Sequence, residues 1–187
     1  NSIREYIRNF IMSKLETNTI DNISGSTTLT IGDSNTSTIA LKSGATLTNF
    51  PANTPAFSVK ESTGLSIPNN SKTKLVFGTE IFDTDSAFAS NKFTVPSGEA
   101  GKYFFTAQWQ TATATDFDQL RIYFYKNASP LDGNTQIGNV HYTTTSLNQI
   151  LDLSASDYVE VYAFQESGGT INSLGTAFFQ GYKLIGA

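Results

Sequence analysis

The chain contains no cysteine and a single histidine, His141. Disulfides cannot staple it, and zinc, which takes several Cys or His ligands, has no donor set to use. Extracellular animal domains of this size often carry disulfides, so their absence points towards a phage, viral or bacterial origin, with packing and oligomerisation as the source of stability. Charge is also scarce, at 15% of residues with a net charge of −4. Without a basic surplus to neutralise phosphates, nucleic acid is not an expected partner. No apolar run approaches the ~18 residues that a membrane span requires. There is no secretory leader pattern and the sequence does not open on Met, so a processed chain, or part of a longer one, is the expectation.

What is present favours strands. The sequence holds 14 Phe, 8 Tyr and 1 Trp, and hydrophobic residues make up 39% of its 187 positions. Phe and Tyr suit a half-buried pleated surface, and the abundant Thr, Ser, Asn and Gly suit strands and turns. The length fits one ordinary domain plus an accessory segment, or two small domains.

Three regions follow one another. In residues 1–17, Ile3, Ile7, Phe10, Ile11 and Leu15 recur at three- and four-residue spacing, which predicts one apolar face of a short helix. About four turns of helix are marginal alone in water, so it needs a partner. That partner is the chain's own head, two sister helices, or a larger particle on which the helix docks as an anchor.

Residues 18–53 are rich in Thr, Ser, Gly and Asn and carry short aliphatic strands, with Leu29 and Ile31, then Ile39 and Leu41, then Leu47. One such strand chain cannot bury enough apolar surface to offset its ordering entropy, whereas three copies about an axis can. A trimeric β-stalk is therefore expected, against the simpler alternative of a disordered polar linker.

Residues 54–187 hold most of the aromatics. Strands are predicted at 55–60, 74–83, 91–95, 101–110, 120–126, 138–145, 147–153, 157–165 and 176–185, separated by turn signals and with no helical period between them. Tyr103, Phe105, Ala107 and Trp109 alternate with Phe104, Thr106 and Gln108; Leu120, Ile122 and Phe124 alternate with Arg121, Tyr123 and Tyr125. Such a pattern predicts an all-β, antiparallel, two-sheet jelly roll.

Within this region three blocks occur in order: Pro55-Ala56-Phe57-Ser58; a stretch from Phe82-Asp83 through Lys92-Phe93-Thr94-Val95-Pro96 to Gly101-Lys102-Tyr103-Phe104-Phe105; and Phe179-Gln180-Gly181-Tyr182-Lys183-Leu184. In these blocks the chain resembles the globular-head family of complement component one q, within the tumour necrosis factor-like jelly-roll superfamily. Asp157 sits where that family has an acidic residue opening its penultimate long strand. The turn 97–100 is longer than the family's usual one, and the loop 83–91 lacks its usual glycine. The resemblance covers about 130 residues and none of the first 50. It implies a homotrimer of heads around a three-fold axis with a fibre entering at the base, as in phage fibre proteins. It also marks Phe57, Phe93, Gly101, Tyr103, Phe105, Phe179, Gly181 and Tyr182 as the head's signature and core.

No catalytic constellation accompanies this fold. His141 has no Ser and acid beside it in sequence and reads as a strand-surface residue. Gly168-Gly169 lacks the Lys and helix of a phosphate-binding loop and reads as a hairpin turn. Asp83 with Asp85, and Asp116 with Asp118, are weak calcium candidates; some members of the resembled family bind calcium in the head, but turns favour Asp anyway. No other cofactor is expected. Tyr123, Tyr125, Tyr158 and Tyr162 lie opposite the expected core faces, where they fill a subunit interface or contact a ligand such as a sugar ring.

The expectation is a non-enzymatic, homotrimeric fibre or appendage protein on a virion surface. Its helix would engage other virion proteins, and its head a host receptor or glycan, or decorate the capsid. A secreted trimeric recognition or signalling ligand is the alternative. A polysaccharide hydrolase would require two carboxylates facing each other across a groove.

Overall fold

A computed structural model describes Ser43 and residues 52–112, 116–137 and 143–185. The chain divides into two compact units, Asn1–Thr48 and Asn49–Ala187. The helix face of Ile3, Ile7, Phe10, Ile11 and Leu15, the stalk residues Leu29, Ile31, Ile39, Leu41 and Leu47, and His141 all lie outside the described residues.

Every described element of the second unit is a strand: β1 (Ala56–Lys60), β2 (Ser66–Ile67), β3 (Thr73–Lys74), β4 (Thr79–Asp83), β5 (Phe88–Ala89), β6 (Lys92–Thr94), β7 (Gly101–Gln110), β8 (Gln119–Lys126), β9 (Ser129–Ile137), β10 (Thr144–Leu153), β11 (Tyr158–Glu166), β12 (Ile171–Asn172) and β13 (Phe178–Lys183). A five-stranded sheet has the order β10-β7-β13-β1-β4. A second sheet has the order β5-β6-β11-β8-β9, with β3 also paired to β11, and β12 pairs β2 in a small ribbon. All pairings are antiparallel. Consecutive strands repeatedly change sheet, as β6 to β7 and β7 to β8 do, so the two sheets close over one core as the predicted jelly roll.

Strict alternation explains the core. Tyr103, Phe105, Ala107 and Trp109 of β7 meet Leu120, Ile122 and Phe124 of β8 and Val159, Val161 and Ala163 of β11, all fully buried. Phe57 is its aromatic hub, with ring centroids 4.8 Å from Phe179, 5.0 Å from Phe93 and 5.3 Å from Phe88. Each fully buried phenylalanine stabilises the fold by roughly 1.5–3 kcal/mol, and well-set ring pairs add about 0.5–1.5 kcal/mol. At one end the buried Glu61 carboxylate accepts the Ser173 hydroxyl proton, while Ser173 Oγ accepts the Leu65 N–H at 2.7 Å. These bonds fix the connections beside the β2–β12 ribbon.

The structure differs from the sequence expectation in strand bounds. Residues 74–83 form two short strands, β3 and β4, rather than one. The expected strand at 147–153 runs together with Thr144 and Thr145, the end of the one expected at 138–145, as β10, paired without interruption to β7; residues 138–142 lie outside the described residues. β9 was not among the expected strands, and it carries Pro130 and Asp132-Gly133-Asn134, residue types that favour turns. β9 lies at the sheet edge, where a proline need not donate to a ladder, and the register slips between Tyr123 and Tyr125 opposite it. Gly168-Gly169 is not a hairpin turn: it links β11 to β12, which belong to different sheets. Asn69 Oδ1 accepts the Ser167 and Gly168 N–H groups, at 2.9 Å each, and holds this link.

Candidate interaction surfaces

The outward residues of the five-stranded sheet line up because its registers are regular. Ile150 faces Phe104, Phe104 faces Tyr182, and Tyr182 faces Ala56, giving one apolar row across four strands. The next row is Asn148, Thr106, Gln180, Ser58 and Phe82. Ile150 is 59% exposed, Phe82 47% and Tyr182 38%. The rings of Phe104 and Tyr182 lie 5.5 Å apart at 42°. A hollow of about 230 Å³ opens here, lined by Phe82, Phe104, Thr106, Gln180 and Tyr182 among others. It is smaller than the usual range for small-ligand pockets, roughly 300–1,000 Å³, and suits side chains of another protein.

Gly181 makes this face possible. A Cβ there would lie 2.5 Å from the Phe105 ring on one strand and 2.9 Å from the Phe104 carbonyl oxygen. Only glycine lets β13 approach β7 closely enough for Phe105 to pack beneath it. Of the signature residues, Phe57, Phe93, Tyr103, Phe105, Phe179 and Gly181 are buried, and Gly101 opens β7. Tyr182 is a departure from the expected core: it points outward into the apolar row, because Gly181 takes the inward position. The Tyr103 hydroxyl donates to the Glu99 carbonyl at 2.6 Å, and burial, with Glu99 and Asp85 nearby, pushes its pKa up to about 12.

The outer face of the second sheet is built differently. Tyr158, Glu160, Tyr162 and Phe164 of β11 lie beside Arg121, Tyr123 and Tyr125 of β8, with Tyr162 opposite Tyr123 and Phe164 opposite Arg121. The Tyr125 and Tyr162 rings stack at 4.0 Å. Lys72 Nζ lies 4.7 Å above the Tyr123 ring and 5.9 Å from that of Tyr125. Lys92 Nζ lies 4.4 Å above the Tyr158 ring. Arg121 is 6.0 Å from the Phe164 ring and donates to the Tyr123 hydroxyl at 3.0 Å. Lys74 pairs with Glu160 at 2.7 Å. Tyr125, Tyr158 and Tyr162 are half-buried. Tyr123, expected to be an exposed face residue, is only 8% exposed: its ring is held between Lys72 and the edge glycine Gly133, whose Cβ would sit 2.5 Å from it. Burial, then Glu160 and the neighbouring tyrosines, raises the Tyr162 pKa.

The acidic candidates serve the turns. Asp83 accepts the N–H groups of Ala87 and Phe88, at 3.0 and 2.8 Å, and so shapes the β4–β5 loop. Asp85 accepts the Thr84 hydroxyl. Asp116 and Asp118 are exposed beside the start of β8. Among the described residues, no group of three or more His, Cys, Asp or Glu assembles to hold a metal. Asp157 accepts the Asn127 amide at 2.7 Å and the Ser154 N–H at 2.8 Å, and pairs with Lys126 at 2.9 Å. These hydrogen bonds hold its pKa at about 2. No described helix is long and apolar enough to cross a membrane.

No family model and no curated protein matches the chain. Solved structures do. The globular domain of zebrafish complement 1qA protein matches with a TM-score of 0.51 at 19% identity, covering 70% of this chain and 97% of that one. Eiger TNF from S. frugiperda matches with 0.54 at 16%, covering 71% and 93%. The PRD1 vertex protein P5 matches with 0.56 at 13%, covering 72% and 99%. At such identities the likeness establishes the fold alone: with the sheet order, the described head is a jelly roll of the kind these three proteins share.

Proposed function

We propose that this chain is a non-enzymatic, homotrimeric fibre or appendage protein of a virion surface, whose head serves attachment or capsid decoration and whose N-terminal segment engages other virion proteins. The observation that carries the trimer is the bare apolar row Ile150–Phe104–Tyr182–Ala56 with its hollow. Exposed contiguous apolar surface of this kind marks a protein interface, and another copy of the chain is the occupant that the stalk pattern independently demands. The vertex protein among the similar structures supports the virion setting. The complement and tumour necrosis factor likeness equally supports a secreted recognition or signalling ligand, with the same trimer. Neither reading requires a cofactor.

Light scattering on the full-length chain tests the assembly. The expected mass is three copies, and Phe104→Glu combined with Ile150→Glu is expected to lower the mass or the melting temperature, because it places carboxylates inside the interface. A stable monomer overturns the trimer. A trimer indifferent to the double charge moves the interface off this sheet. For the virion role, immunogold labelling of purified particles is expected to find the chain at their surface; its absence there favours the secreted ligand.

A further inference from the structure

Of the eight Lys and Arg residues after Thr54, four (Lys72, Lys74, Lys92 and Arg121) gather on the outer face of the second sheet, in a chain whose net charge is −4. Only Lys74 of these forms an ion pair among the described residues, with Glu160. The other three are held against rings by cation–π contact. Along β11 the outward residues run from Tyr158 to Phe164, a strip of about 20 Å at the usual strand rise. The strip is preorganised: Tyr125 and Tyr162 are stacked, and Arg121 pins the Tyr123 hydroxyl.

Its chemistry selects among occupants. A nucleic-acid base needs an open ring face on which to stack, but Lys72, Lys92 and the partner ring already occupy faces of the tyrosines. A second copy applied face to face would bring cations against cations. What the strip offers is tyrosine edges and hydroxyls at intervals, with Lys72 and Lys92 over the rings and Arg121 at the Tyr123 hydroxyl. An extended polyol bearing carboxylates matches this: its hydroxyls meet phenol hydroxyls, its C–H surface meets ring edges, and its carboxylates meet Lys72, Lys92 and Arg121.

We infer that the outer face of the second sheet, centred on Lys72, Lys92, Arg121 and the Tyr125–Tyr162 pair, binds an acidic polysaccharide. The inference deepens the attachment reading and rests on it in taking the head as the binding end.

The test is titration of the full-length protein with polygalacturonate, neutral dextran and polyglutamate, with light scattering on each sample. Polygalacturonate is expected to bind, more weakly as salt rises, and dextran not to bind. Lys72→Ala with Lys92→Ala should weaken binding by roughly tenfold or more. Lys102→Ala, on the other sheet, should leave it unchanged. Tyr125→Phe with Tyr162→Phe, which keeps the rings and removes hydroxyls, should weaken it less than the lysine pair does. Equal binding of dextran or polyglutamate overturns the inference, as does no binding of polygalacturonate or indifference to the lysine substitutions. Because assembly is read on the same samples, loss of the trimer is scored separately from loss of the ligand.

Discussion

The two sheets turn opposite kinds of aromatic surface to the outside. On the five-stranded sheet, Phe104 and Tyr182 stand in an apolar row with Ile150, and among the described residues no cation caps either ring. On the second sheet, Tyr123, Tyr125 and Tyr158 each lie under a lysine ammonium. Strand alternation produces both faces, so alternation alone does not say what an outward aromatic is for. The cap does. An uncapped row loses free energy in water until another chain covers it, whereas a capped ring is already compatible with solvent and can exchange its cation for a ligand's contacts.

The largest effect expected is one that breaks both faces at once, through the core they share. Phe57→Ala removes the ring that joins Phe88, Phe93 and Phe179, and should destabilise the head by about 3–5 kcal/mol in denaturant unfolding, with little change of slope. A loss below 1 kcal/mol would show that Phe57 is not the hub. The two close-approach glycines give a smaller and more discriminating comparison. Gly181→Ala, in the middle of the five-stranded sheet, drives a methyl into the Phe105 ring and the Phe104 carbonyl, and overpacking of that kind costs about 1–3 kcal/mol. Gly133→Ala meets the Ile122 carbonyl and the Tyr123 ring at the same 2.5 Å, but from an edge strand that can move away. It should therefore cost less. If thermal melts show the reverse order, the edge is the stiffer part of the head and the comparison of the faces has to be redrawn.

Much of the head was legible because its residues obey period two. The alternations of β7, β8 and β11 predicted inward Tyr103, Phe105, Leu120, Ile122, Val159 and Val161, and these are buried. The jelly roll followed from those strands and from the three ordered blocks. What failed depended on neighbours in space. β9 carries turn residues that only an edge position tolerates. Tyr123 is outward by period yet buried, because Gly133 and Lys72 close around it. Tyr182 belongs to one of the three blocks that carry the resemblance but faces outward, because its neighbour Gly181 must face Phe105. The apolar row itself was half visible, since Phe104 was read as outward. Joining it to Ile150 and Tyr182 requires the β7–β10 and β7–β13 registers, which no single strand contains.

The smallest effects expected separate the sheets by pH. Tyr103, of the five-stranded sheet, has its folded pKa raised to about 12 from the usual value near 10 by burial and then by Glu99 and Asp85. The folded state thus binds this proton more tightly than the unfolded chain. Its stabilising contribution is complete below pH ~10 and is lost as pH rises from there through about 12. Asp157, in the turn that opens β11, has the opposite sign: its folded pKa is lowered to about 2, first by Asn127 and then by Lys126 and Ser154. Its contribution is present above the ordinary carboxylate pKa near 4 and disappears as pH falls through about 2. Melting temperature measured from pH 1.5 to 11.5 should decline at both ends. Tyr103→Phe should flatten the alkaline decline, leaving the share due to Tyr162, while Asp157→Asn should flatten only the acid one. An alkaline arm unchanged by Tyr103→Phe would transfer that titration to Tyr162 on the second sheet, whose pKa burial and Glu160 also raise.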